Sequence, residues 1–447
     1  MRRPRRRPEL LLIVLLALGA SACGGGSSGG DEPAVSTDLQ FDGETVVVDG
    51  ATFAVAPSVA IDEDGDIHVA WSAHDAAPEQ DSTAGGDGDA ADEHAAHASS
   101  DGSGGQHVFA SSSGDGGQTW SKPVRITRAP DANAFANAHV KLLVTGDERL
   151  LLTYPRYSAT GSFYTVRRST SEDGGRTWSA PATMREGAGF GAGESYQDAD
   201  GTTESAWSSM LVTPADTQDP TTETSLAVAR TLDGGVYWDP PKLVDARTCE
   251  CCDTAIVVDS EDRVFVAYRD QRIVDKGPAV RDVSVVASFD LGQTWSDPVA
   301  VRDDGWRSEQ CPEAGPELAV DSKDRLHVIN WRGLDEHQGI AWSRSDDQGA
   351  SFESTVLVDE EFFPSATVDL AIDGADDAWL TWDDRREDET KVWLASVDAD
   401  GAPRLLDEPL AAGEQPSIAA REELVVVAWT TADGAIEVHV SDDDGGS

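Results

Sequence analysis

One eight-residue pattern recurs through this chain at a nearly fixed interval. SEDGGRTW begins at Ser171, SGDGGQTW at Ser113, TLDGGVYW at Thr231, SFDLGQTW at Ser288 and SDDQGASF at Ser345. The starts are 58, 60, 57 and 57 residues apart (171−113, 231−171, 288−231, 345−288). A period of this size means an array of one supersecondary unit, and it constrains the fold more than any other feature. The shared Ser/Thr-x-Asp-x-Gly-x-Thr-Trp fits a hairpin tip. Asp and Ser can accept bonds from nearby backbone N–H groups, Gly takes a positive φ, and Trp folds back as an apolar plug.

Alternating apolar patterns precede each tip, and each unit reads as four short strands. The first unit has Pro57–Ile61, a turn at Asp62–Gly65, Ile67–Trp71, Gln106–Ser111, the tip, then Lys122–Thr127. The fourth and fifth repeat this; the second and third are looser but in phase. Two more units follow with decayed tips, ending at Asp398–Gly401 and Ser441–Gly445. The last unit lacks a fourth strand, while Thr45–Val48 is a strand with no unit of its own. Letting that strand complete the last unit closes a ring and protects the sheet edges. The fold class expected is therefore all-β, a β-propeller of four-stranded antiparallel blades closed by an N-terminal strand. Seven blades are favoured; six is the alternative if the weak third or sixth unit is not a blade.

These tips resemble the Asp-box (BNR) repeat of sialidase-like propellers, and the resemblance covers nearly all of residues 45–447. It implies that the boxes are structural turns away from the active face. Chemistry then belongs to the opposite face, in the loops after strand two and the crossovers between blades. A sialidase of this kind would carry a first-blade Phe/Tyr-Arg-Ile-Pro motif. Here blade one reads Phe53-Ala-Val-Ala-Pro57, and no Arg occurs between Asp38 and Lys122.

The N-terminus reads as a targeting segment. Five Arg precede an apolar run, Leu10–Leu18, too short to span a bilayer, and Ala20-Ser-Ala-Cys23 follows. This resembles a bacterial lipobox, implying cleavage after residue 22 and lipidation of Cys23. Residues 24–38 then form a Gly/Ser-rich tether, and residues 39–447 the propeller. Removing residues 1–22 takes the net charge from −48 to −52 (29 basic, 81 acidic). Such a surface repels nucleic acid, which is excluded as a partner. The expected partners are a membrane, through the lipid anchor, and a glycan or small-molecule ligand; the expected state is an exported, envelope-attached monomer.

Three features fall on the loops of the expected functional face. Cys249, Cys251 and Cys252 sit in one crossover and Cys311 in the next. An even number of Cys in an exported chain fits disulfides tying blades four and five, for instance Cys249 or Cys251 to Cys311. Four converging thiolates would instead suit Cu or Zn, and a vicinal Cys251–Cys252 bridge is a third arrangement. The second feature is a set of Arg/Asp loops carrying Arg269, Asp270, Arg281, Arg332, Asp335 and Arg385. Guanidinium groups suit bidentate capture of a ligand carboxylate, or pairing with the neighbouring Asp. The third is an Ala/Gly/Asp/Ser-rich insertion, residues 75–105, expected to be disordered and carrying His94 and His97. Trp306 and Trp331 are candidates for stacking on a sugar ring, whereas His68, His327 and His439 read as packing residues.

The expected function is a ligand- or metal-binding envelope propeller with its site at the channel mouth. Alternatives are a glycoside hydrolase of exo-sialidase type and a structural envelope protein with disulfide-tied blades. No catalytic residue is singled out by spacing.

Overall fold

The computed structural model describes residues 35–441 except 49, 52–53, 75–105, 131, 133–138, 146–148, 158–163, 184–205, 213–223, 233–236, 250–251, 310–311, 313, 335–336, 360–366 and 386–388. The targeting segment, Cys23, the tether, the insertion, Cys251, Cys311 and Asp335 lie outside the described residues. No helix occurs among those described.

Strand β1 (Gly43–Val47) comes first. Blade one holds β2 (Ala54–Ile61), β3 (Ile67–Ala73), β4 (His107–Ser113) and β5 (Val124–Arg125). The second holds β6 (Lys141–Val144), β7 (Leu150–Tyr157), β8 (Tyr164–Ser171) and β9 (Ala182–Thr183). The third unit gives β10 (Ala206–Val212), β11 (Ser225–Thr231) and β12 (Lys242–Asp245). Next come β13 (Thr254–Val258), β14 (Val264–Arg269), β15 (Val283–Ser288) and β16 (Val299–Ala300), then β17 (Pro316–Val320), β18 (Leu326–Leu334), β19 (His337–Ser345) and β20 (Glu353–Asp359). The sixth unit has β21 (Val368–Ile372), β22 (Ala378–Asp384), β23 (Lys391–Val397), β24 (Pro403–Leu405) and a short β25 (Ala411–Ala412). The last has β26 (Glu414–Arg421), β27 (Leu424–Thr430) and β28 (Ile436–Ser441).

Each unit is an antiparallel meander, and β1 pairs with β28, Thr45 opposite His439, as the closing strand. Six blades are complete among the described residues, the smaller of the two expected counts. The weak third unit supplies a three-stranded sheet, β10–β11–β12, wedged between its neighbours. Ala227, Ala229 and Trp238 pack on Leu151 of blade two, and Trp207 packs in one cluster with Ile256 and Val264 of the next blade.

Burial explains why the ring holds. Strand two of each complete blade carries a large aromatic side chain: Trp71, Tyr154, Tyr268, Trp331, Trp382 and Trp429. All six are at most 1% exposed, and each fills the wedge where blades converge. Polar devices then set the turns. In the box at Ser171, the amide of Thr177 donates to Asp173 Oδ1 (2.8 Å), its hydroxyl donates to Oδ2 (2.7 Å), and the amide of Gly175 donates to Ser171 Oγ (3.0 Å). The same bonds recur at Asp115, Asp290 and Asp347. The second box Gly is required by close approach as well as by φ. A Cβ on Gly292 would lie 2.8 Å from the Trp207 ring, and one on Gly117 would lie 2.6 Å from Val440. Each box is thus also a blade-to-blade contact.

The turns between strands one and two use the same chemistry. Oδ1 of Asp62, Asp259, Asp321 and Asp373 accepts backbone amides two and four residues on. His68 and His327 donate Nε2–H to the other oxygen of Asp62 and Asp321, as packing residues. Neighbouring turns clasp each other: Ser260 bonds Asp324, and Ser322 bonds Asp376, through both amide and hydroxyl.

Candidate functional site at the channel mouth

The innermost strands run from the crossover face toward the box face, so their first residues ring the mouth opposite the boxes. Four residues before each turn, one register position is polar in five complete blades: Ser58, Lys141, Glu317, Asp369 and Ser417. The blade starting at Thr254 has Ala255 there, and its Asp253 at the strand entrance takes the polar role. Ser58, His139, Lys141, Asp369 and Ser417 line a cavity of about 200 Å³ floored by Val59, Leu142, Val257, Leu318, Leu370 and Ile418, and Glu317 and Asp253 meet it through Lys141. Below it the channel continues as a space of about 530 Å³ toward Glu63 and Arg421.

Some of the ring is architecture. Ser58 Oγ accepts the amide of Leu142 (3.0 Å), Ser417 Oγ accepts that of Val59 (3.2 Å), and Asp369 Oδ2 accepts that of Ile418 (2.8 Å). In each case one blade's side chain holds the next blade's inner strand. The charged part crosses the mouth instead. Lys141 donates to Glu317 Oε1 at 2.7 Å, from the second blade to the fifth unit, and lies 3.7 Å from Asp253 Oδ2. His139 Nδ1 is 3.9 Å from the same Asp253 oxygen.

Burial opposes every charge here. It works against the Lys141 ammonium, but Glu317, Asp253 and Asp369 more than offset it, and Lys141 stays protonated. Burial raises Asp253, Glu317 and Asp369 above the usual carboxylate range, with Lys141 pulling each back down. The mouth therefore holds one cation among three carboxyl groups that resist full ionisation. Carboxyl groups with raised affinity for protons, facing a cavity, can bind polar ligands or exchange a proton with them.

The arginine loops behave differently. Arg269 is 2% exposed and all its bonds go to backbone carbonyls: Ala314 (2.8 Å), Arg281 (2.8 Å) and Trp331 (2.9 Å). Its guanidinium lies between Trp306 and Trp331, 5.6 and 5.8 Å from the ring centroids. Burial pulls its pKa down to about 10. Arg332 is forked onto Asp304 at 3.2 and 3.3 Å, and Arg281 donates to the Ser308 carbonyl and contacts Cys249 Sγ at 3.4 Å. Arg385 is a third exposed and reaches Asp383 and Glu414 at 3.5 and 3.4 Å. Asp270, pushed up to about 6 by burial and by Asp245, accepts from Ser284. These residues do not converge on a cavity large enough for a ligand: the space beside Arg269, Asp304 and Arg332 is about 10 Å³. Trp331, 1% exposed and edge-on to Trp306 at 5.4 Å, is not available to stack a sugar ring.

The expected Cys249–Cys311 and Cys251–Cys252 pairings are corrected, while a Cys251–Cys311 bridge lies outside the described residues. Cys249 and Cys252 are joined by a disulfide with Cα atoms 5.7 Å apart, a pairing within one crossover. Neither presents a thiolate in this state, so the four-thiolate Cu or Zn site does not fit. Nor does this bridge tie two blades. Among the described residues, no group of three or more His, Cys, Asp and Glu side chains is placed to hold a metal ion.

Residues 94–277 match the BNR repeat-like domain family. No curated protein matches the chain in sequence. Among solved structures, a protein of unknown function from Dyadobacter fermentans is 16% identical over 89% of this chain and 97% of its own, with a TM-score of 0.46. An ulvan lyase, a polysaccharide lyase bound to -[GlcA(1-4)Rha3S]-, is 11% identical over 90% and 96%, with a TM-score of 0.55. A Hadza microbial sialidase is 15% identical over 76% and 73%, with a TM-score of 0.47. At such identities the likeness is one of fold. The blade topology makes this chain a β-propeller, and its residues 94–277 match the BNR repeat-like domain family.

Proposed function

We propose that this propeller is an exported, lipid-anchored ligand-binding protein of the cell envelope, with its site at the channel mouth. The observation that carries the reading is a cavity of about 200 Å³ lined by Ser58, His139, Lys141, Asp369 and Ser417, with Lys141 held there by Glu317 and Asp253. A buried ion pair is a weak source of stability and is more often retained for what it specifies. The ligand is small, and polar enough to satisfy the carboxyl groups and ammonium that its entry desolvates.

The test is differential scanning fluorimetry of the full chain against glucose, glucosamine, spermidine and glucuronate, beside Lys141→Met and Glu317→Gln. A ligand-induced rise in Tm that either substitution removes supports the reading. No rise with any probe, or one unaffected by both substitutions, sinks it. Membrane fractionation of Cys23→Ser checks the anchor, and release of that variant into the soluble fraction is expected.

One observation favours a second reading, a glycoside hydrolase. Glu317 is a buried carboxyl raised above its ordinary pKa beside further carboxyl groups, which suits a proton donor. The sialidase form of that reading needs free arginines at the site, and Arg269, Arg281 and Arg332 are already bonded within the protein. Turnover of a fluorogenic glycoside panel that disappears in Glu317→Gln would establish the hydrolase; no turnover would leave binding alone.

A further inference from the structure

The charges at the mouth are unequal in number, and their geometry says where the surplus lies. Lys141 leans to one side, bonding Glu317 at 2.7 Å and approaching Asp253 at 3.7 Å. Among the described residues, no basic group lies within ion-pair distance (4.0 Å) of Asp369. Its oxygens accept only the amides of Leu370 and Ile418, both 2.8 Å away, and the Ser417 hydroxyl. Asp369 is half-buried and lines the cavity, so one carboxylate faces the ligand space with Lys141 acting on it only from beyond ion-pair distance.

Among the described residues, the mouth offers an anion no cation besides Lys141. An anionic ligand would have to draw Lys141 off Glu317, leaving three carboxyl groups around it unpaired, which costs several kcal/mol of about the size measured for breaking a buried pair. The arginines that would capture a carboxylate are engaged elsewhere: Arg269 by three carbonyls and Arg332 by Asp304. The net charge of −48 also raises the local concentration of cations and lowers that of anions.

We propose that the mouth selects a small amine, an amino sugar or the end of a polyamine, and seats its ammonium group against Asp369 on the side of the cavity that Lys141 leaves uncovered. This rests on the ligand-binding reading above and adds the class of ligand. The hydroxyl groups of an amino sugar would meet Ser58, His139 and Ser417, which line the same cavity. Because a bound cation favours the ionised carboxylates, binding releases protons from the cluster.

The test is calorimetric titration of the full chain at pH 7 with glucosamine, spermidine, N-acetylglucosamine and glucuronate, in two buffers of different ionisation enthalpy. The expected result is that an amine binds at least tenfold more tightly than its neutral and anionic counterparts. Its apparent heat should differ between buffers in the sense of proton release, and Asp369→Asn should weaken it about tenfold. Proton release is read on the unsubstituted protein, so the test survives a poorly folded variant. Binding of N-acetylglucosamine or glucuronate as tight as that of the amines, or proton uptake on binding, overturns the amine assignment and leaves the mouth as a site. No binding by any probe overturns both.

Discussion

Arg269 separates an arginine that serves the fold from one that serves a ligand. Replacing it by Met keeps most of the aliphatic volume between Trp306 and Trp331 and removes the three donors. The carbonyls of Ala314 and Arg281 then lose the donors that held them, in a site where the guanidinium was 2% exposed, while that of Trp331 keeps the Asn330 amide at 3.0 Å. Each unsatisfied buried acceptor costs about 1–3 kcal/mol. The two ring faces add about 0.5–2 kcal/mol each. Against this, the variant escapes the desolvation of a buried charge, the effect that pulls the Arg269 pKa down to about 10. The net expectation is a loss of about 3–5 kcal/mol. Urea unfolding followed by tryptophan fluorescence reads it as a fall in midpoint at constant slope. Arg385→Met is the control: a third exposed, with contacts of 3.4–3.5 Å, it should cost under about 1 kcal/mol. The reasoning is refuted if Arg269→Met leaves the midpoint within error of the parent while abolishing ligand binding at the mouth.

Burial pushes Asp383 up to about 6, so its ionisation is disfavoured in the fold; this contribution to stability is complete below about pH 4 and is lost as pH rises through 6. Asp383→Asn should therefore gain about 1–3 kcal/mol on the parent between pH 4.5 and 7.5, and a difference that stays flat across that range would sink the assignment. The box carboxylates run the other way: hydroxyl and amide donors hold Asp115, Asp173, Asp290 and Asp347 below the usual range, so their contribution is present above about pH 4 and lost as pH falls further. Gly333→Ala places a Cβ 2.3 Å from the Trp306 ring, so a loss of about 1–3 kcal/mol and an altered near-ultraviolet circular dichroism spectrum are expected. Replacing Cys249 and Cys252 by Ser opens a loop closed over three residues in sequence, and the midpoint should fall by about 2 kcal/mol or less. A much larger loss would mean that the bridge supports more than its own crossover.

Much of the architecture is legible in the chain because local chemistry enforces it. Among the described residues, the Asp at four boxes and at four strand-one turns binds amides two to four residues away, so its spacing survives in sequence whatever packs around it. Closure by the strand near Thr45 follows from a missing partner at the other end. The third unit was harder: its box is present, yet it shows three strands among the described residues, and a tip motif does not report its blade's inner strand. The arginines were misread because an Asp beside an Arg in sequence says little about its partner in space. Arg332 finds Asp304, and Arg269 finds only carbonyls. Trp331 lies within strand β18, which places it inside a blade wedge and not at the surface. The mouth residues went unnoticed because Ser58, Lys141, Glu317, Asp369 and Ser417 share no residue type. They share a register, four residues before the turn, and aligning the units on the turn instead of the box would have placed them in one column.

The pairing of β1 with β28 also governs when the protein can be finished. Thr45 and His439 are 394 residues apart, and their side chains meet at 2.9 Å. Bringing such distant segments together costs about 5 kcal/mol of chain entropy by the logarithmic scaling, before any contact repays it. The other blades are hairpin meanders that can form as the chain emerges; the last one has to wait for both termini. Joining the ends is therefore the slow, late step of folding, expected on the long time scale of proteins dominated by non-local pairing. A nascent chain stalled short of Ser441 would leave β1 without its full register, so the ring cannot close before β28 has been made.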